Sequence, residues 1–288
     1  MCLFSSEVEH VADTRIFARA DGDHQYLAYQ MQLRSQRELA MILPLPTPPA
    51  CDERAVGFLN AADSYDLFRE LATLFLAPIQ SHGSETSLLF GFDGPSPLQV
   101  HSVGDYEASF VPTMADFARL DPRFRLPPAI WSQLPMYADW GFAVFKLRPQ
   151  EPPNIPMTAL DLRIAAERKR DGKPLLQYMR RTPPVQTHPI AFRFPRRDPG
   201  TLFFPTMHVH DGSWQPVATF DHLIYAQRRR AGGSPAPSAA GPLWQVSHSE
   251  AQPTAKTAAA QLLRGGQPVL RLALRGEFAN ADTALPDP

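Results

Sequence analysis

Three of the nine histidines of this 288-residue chain fall in one stretch, Leu202–Gln227, which reads LFFPTMHVHDGSWQPVATFDHLIYAQ. Imidazoles titrate near neutral pH and bind borderline transition metals, so His208, His210 and His222 are the first residues to weigh. The Asp211-Gly212 dipeptide suits a tight turn between two alternating apolar runs, which predicts a β-hairpin. On that hairpin His208 and His210 lie two apart and project from one face. Ser213, Gln215, Val217, Thr219 and Asp221 share the face, and His222 points to the other. His208 and His210 are therefore candidate metal ligands, with zinc as the candidate ion. A third ligand must come from elsewhere, such as His101 or His188. The plainer reading of an H-x-H pair is two solvent-facing strand histidines.

Cys2 is the second candidate. Initiator methionine is usually removed before a small residue, which would leave a thiol beside its own α-amine. The amine's pKa of about 8 suits a built-in base, the logic of N-terminal-nucleophile hydrolases. His210, nearest the turn, would line an open cleft as partner, and Asp221 on the same face would orient the ring. Cys2, His210 and Asp221 are thus the candidate catalytic set. The plainer reading of Cys2 is a small buried hydrophobe at a sheet edge. No G-x-S-x-G, P-loop, G-x-G-x-x-G or H-E-x-x-H occurs, which argues against nucleotide-dependent and α/β-hydrolase chemistry.

The elements that must position these residues are short. Proline is abundant, 31 in 288, about twice the usual ~5%, and it interrupts nearly every segment. Hydrophobic residues make up 44% and charged ones 20%, with a formal charge of −1. That balance describes a soluble globular chain with no electrostatic footprint for nucleic acid. No run approaches the ~18 apolar residues of a membrane span. The N-terminal MCLFSSEVEH lacks the basic and apolar regions of a secretory signal. Two cysteines, Cys2 and Cys51, make neither a disulfide framework nor a metal spacing. The expected location is cytoplasmic.

Alternation predicts strands over Thr14–Ala20, Gln25–Arg34 and Leu39–Leu45, joined by short spacers into an antiparallel meander. The run Leu39–Leu45 is apolar throughout, which marks a strand covered on both faces. Leu67, Phe68, Leu71, Leu74 and Phe75 follow helical spacing and predict a helix over Ser64–Leu76, stopped by Pro78. Further strands are read at Leu98–Pro112, Trp140–Leu147, Ile190–Phe194, Leu243–Ser247 and Val269–Gly276. Short helices are read at Met114–Leu120, Pro127–Gln133, Asp161–Tyr178 and Thr254–Arg264. The fold class is α+β, predominantly antiparallel β-sheet with a few short helices. Residues 1–230 form an antiparallel-sheet domain, and 231–241 (AGGSPAPSAAG) a flexible connector. Residues 242–288 form a C-terminal strand–helix–strand addition.

Several of these blocks resemble a bacterial family known as domain of unknown function 2330. The resembling residues are Cys2, Val8, Arg15-Ile16-Phe17-Ala18, Met41-Ile42-Leu43-Pro44-Leu45-Pro46, Tyr106, Phe117 and Phe142-Ala143-Val144-Phe145-Lys146-Leu147. They cover roughly residues 2–205 and are mostly structural. The chain departs from the family in lacking an export signal and in carrying the histidine-rich stretch. The resemblance brings no known reaction.

Two classes of function follow. The first is a non-catalytic binding or scaffolding module for a protein or small-molecule partner, without nucleic acid or membrane. The second is a cysteine-dependent amide hydrolase or transferase using Cys2. A metal-binding variant rests on His208 and His210.

Overall fold

The computed structural model describes residues 3–35, 37–61, 64, 66–76, 101–103, 106–148, 185–210, 212–228, 244–251 and 261–287. The first strands are β1 (Leu3–Phe4), β2 (His10–Asp21), β3 (His24–Arg34), β4 (Leu39–Leu45) and β5 (Gly57–Leu59). Then come β6 (His101–Val103), β7 (Tyr106–Val111), β8 (Gly141–Leu147), β9 (Val185–Gln186) and β10 (Ile190–Pro195). The last are β11 (Thr201–Phe204), β12 (Val217–Gln227), β13 (Gln245–Glu250), β14 (Pro268–Ala279) and β15 (Thr283–Pro286). Two short α-helices, α1 (Leu67–Thr73) and α2 (Pro128–Gln133), and three 3-10 turns between Met114 and Tyr137 complete the described elements.

The large sheet runs β13-β14-β12-β2-β3-β10-β5, with β9 also on β3, and the second sheet runs β1-β4-β8-β7-β6. β11 and β15 form a separate pair. Among the described strands the named pairings are antiparallel except β12 with β2, so the large sheet is mixed. The chain is mostly β-sheet with few short helices.

β2 and β3 form the expected hairpin, closed between Asp21 and His24. Gly22 there takes φ +57, a left-handed conformation that a residue without Cβ adopts at no steric cost. The meander stops at this point. β4 does not pair with β3; it crosses to the second sheet between β1 and β8. The reason lies in its composition. All seven β4 residues are buried. Leu39, Met41, Leu43 and Leu45 face the core shared with the large sheet, whereas Ala40 and Ile42 face Phe117, Ile130 and Leu134 of the helical turns. Such a strand needs cover on both sides, and each fully buried aliphatic contributes about 1.5–3 kcal/mol. Pro44 sits inside β4 opposite Phe142 of β8 and contributes no N–H to the ladder.

The outer face of the large sheet carries a third apolar cluster. There Phe17, Ala28 and Tyr225 pack against Leu67, Phe68 and Leu71 of α1 and against Leu262 and Leu263. The helix is shorter than the spacing predicts, and the strand predicted over 98–112 is described as β6 and β7. The predicted helix 161–178 and the connector 231–241 lie outside the described residues, as does most of the predicted helix 254–264. No helix among the described residues is long and apolar enough to cross a membrane.

Candidate functional site

The stretch 202–227 does not close into a hairpin. β11 pairs with β15, while β12 lies between β14 and β2. Prolines 205 and 216, which donate no hydrogen bond, bracket the segment between them. This segment leaves the ladder and makes an isolated parallel bridge from Val209 to Leu3 of β1. It turns back through Gly212 at φ +76, and Asp211 lies outside the described residues.

The excursion gathers the three imidazoles. His208 and His210 stack with ring centroids 5.2 Å apart and an interplanar angle of 17°. His222 of β12 lies 5.0 Å from His208, inclined at 37°. Phe220 closes the group 4.3 Å from His208, and Phe4 lies 5.5 Å from His210. The period-two expectation for His208 and His210 is met. His222 joins them, contrary to expectation, because β12 is not a hairpin partner and side-counting across the turn does not apply.

Burial then sets the chemistry. His222 is fully buried, His208 is 8% exposed and His210 is half-buried. Both ring nitrogens of His222 and Nε2 of His208 have no hydrogen-bond partner. Loss of water disfavours the charged form, and it pushes His208 down to about 2 and His222 well below the usual imidazole range. Both rings are neutral at physiological pH. Among the described residues no group of three His, Cys, Asp or Glu side chains is placed to hold a metal ion.

Asp221 is engaged elsewhere than proposed. Its Oδ2 accepts a 2.6 Å hydrogen bond from the Asp13 backbone N–H. Asp13 takes φ +51 where the β2–β3 register shifts, so the carboxylate steadies a β-bulge. The imidazole near Asp221 is that of His222, with Nδ1 4.0 Å from Oδ1. Burial raises the carboxyl above its ordinary value. Cys2 lies outside the described residues. The chain following it is bound at the stack: Phe4 N–H donates to Val209 O at 3.1 Å and Val8 N–H to His210 O at 3.4 Å. Of the other proposed ligands, His188 offers its carbonyl to the Tyr106 hydroxyl, and the side chain of His101 is outside the described set.

Two residues that sequence reasoning missed hold the excursion in place. Asn280 donates from Nδ2 to the carbonyls of His208 (2.9 Å) and Gln215 (2.8 Å), and its Oδ1 accepts from His208 N–H at 2.7 Å. Asp282, half-buried, accepts from the N–H groups of Thr206 and Met207 at 2.9 and 3.0 Å. Its other oxygen accepts from the Tyr137 hydroxyl at 2.6 Å. Burial pushes both Asp282 and Tyr137 upward. The one signal in the sequence is a pair of turn-forming Asx residues directly after an alternating strand.

No family model matches the chain, and no curated protein matches it. Among solved structures the chain is similar to baculovirus P35, at 13% identity over 99% of each chain, with a TM-score of 0.46.

Proposed function

We propose that the protein is a non-catalytic binding or scaffolding module for a protein or small-molecule partner and performs no covalent step with its histidines. The observation that supports this reading is the engagement of the residues advanced for catalysis. His208 and His222 are buried and neutral inside packing, and Asp221 is bonded to a β-bulge. A general base must reach the proton it removes, and two of the three imidazoles are enclosed. Photo-crosslinking in the native host should recover the same partner with Cys2→Ala and His210→Ala as with the parent chain. An acyl adduct on Cys2, detected by intact mass with thioester probes and lost in Cys2→Ala, would overturn it.

A second reading keeps the thiol. What favours it is the position of β1: Leu3, to which Cys2 is joined, bridges Val209, and Phe4 contacts the half-buried His210. Cys2 would then act as nucleophile with its own α-amine or His210 as base. Its requirement is removal of Met1, since otherwise the amine is an amide. Intact mass of the mature protein decides that point.

A further inference from the structure

We propose that the imidazole stack is an acid-sensitive latch, which holds the segment 205–216 closed at neutral pH and releases it on mild acidification while the two sheets stay folded. The geometry places His208 between the other two rings, 5.2 Å from His210 and 5.0 Å from His222. One of them belongs to the core strand β12 and two to a segment outside the ladders. Protonating His208 together with either neighbour places like charges about 5 Å apart in a poorly solvated site, where their repulsion is weakly screened. Opening moves His208 and His210 away from His222 and lets water reach all three.

Among the described residues the surroundings offset the charge on the two buried rings only in part, and only at His222. From β12, Asp221 approaches His222 only to 4.0 Å, and its other oxygen is held by the Asp13 N–H of β2. Asp13 is itself paired with Arg15 at 2.7 Å. On β14, Arg275 lies opposite Asp221 in register. His10 of β2 senses Asp221 and Arg34 and is not part of the stack. Asp282 holds the same segment, but its raised pKa acts in the opposite sense, since a native state that keeps its proton is favoured by acid. Loosening on acidification is therefore assigned to the imidazoles.

The sign follows from their depressed proton affinity. Above the unfolded value of about 6.5 both buried rings are neutral open or closed, and the latch is at full strength. Below it the open form binds protons that the closed form refuses. With two rings refusing, the opening constant rises by up to ~100-fold per pH unit well below pH ~6.5, or by roughly a thousandfold in all between pH 7.5 and 5. Amide exchange of the full chain, followed by mass spectrometry from pH 7.5 to 5 and corrected for intrinsic rates, reads this constant for 205–216. The expected result is that slope, with β3 and β10 amides unchanged. His222→Leu should reduce it to about tenfold per unit, the double variant with His208→Leu should flatten it, and His10→Gln should leave it as in the parent. Equal protection of 205–216 at pH 7.5 and 5 overturns the proposal, as does opening of β3 and β10 in step or an undiminished slope in the double variant. Should the variants not fold, the parent slope and its confinement to 205–216 decide alone.

Discussion

Two sets of polar side chains hold the segment 205–216, and they are enclosed on different terms. Around Asp282 and Asn280 donors meet acceptors: two backbone N–H groups and a tyrosine hydroxyl on the carboxylate, two carbonyls and an N–H on the amide. Around His222 and His208 three ring nitrogens are enclosed with no partner. A satisfied buried network specifies one arrangement of the chain. An unsatisfied one carries a desolvation cost of about 1–3 kcal/mol per group, which the rest of the fold must offset. Removing polarity should thus be harmful in the first region and harmless or favourable in the second.

The largest expected effect is at the carboxylate. Asp282→Ala removes the acceptor of two backbone N–H groups and leaves the Tyr137 hydroxyl only Met207 Sδ at 3.3 Å, and it should destabilise the protein by roughly 3–4 kcal/mol in urea unfolding at pH 7.5. A loss below about 1 kcal/mol would show that water replaces the carboxylate and would erase the contrast. Next comes pH. Because His208 and His222 have lowered pKa values, their penalty is absent above about pH 6.5 and grows as pH falls, reaching up to about 2 kcal/mol each at pH 5. Asp282 and Asp221 have raised values, so they gain stability as pH falls and offset part of this loss. A thermal midpoint that drops from pH 7 to 5 is the expected outcome, and a flat profile would place solvent at the rings. Asn280→Ala should cost about 2–3 kcal/mol through the carbonyls of His208 and Gln215, measured by the same unfolding assay. The smallest effect has the opposite sign. His222→Leu should stabilise by about 1 kcal/mol at pH 7.5, since an apolar side chain of similar bulk leaves nothing unpaired. Destabilisation above 2 kcal/mol would reveal a partner for the ring and end the comparison.

The sequence carried one region far better than the other. Alternation along β2 and β3, the turn at Gly22 and the unbroken apolar run of β4 are local patterns, and local patterns predicted those elements within a few residues. The partner of β4 was not legible, since pairing is decided by which sheet covers both of its faces. The histidine-rich stretch failed for the same reason. Asp211-Gly212 has the chemistry of a hairpin turn, but β12 is claimed by β14 and β2, and β11 by β15. Those partners lie 44 residues or more away along the chain, counting from the Ala226–Leu270 pair. The shared side of His208 and His210 follows from period two alone. That His222 completes the group, and that Asn280 and Asp282 clamp it, required the closed sheet.

The parallel pairing of β12 with β2 also has a consequence in time. β2 and β3 leave the ribosome early as a hairpin, yet their final neighbours, β10 and β12, begin at Ile190 and Val217. At ordinary synthesis rates of about 5–20 residues per second, the hairpin waits roughly 10–40 seconds with both edges bare. Open edges of this kind recruit other strands. The sheet's middle is therefore assembled late from its earliest-made part, and a nascent chain stalled before Gln227 is the species most exposed to aggregation.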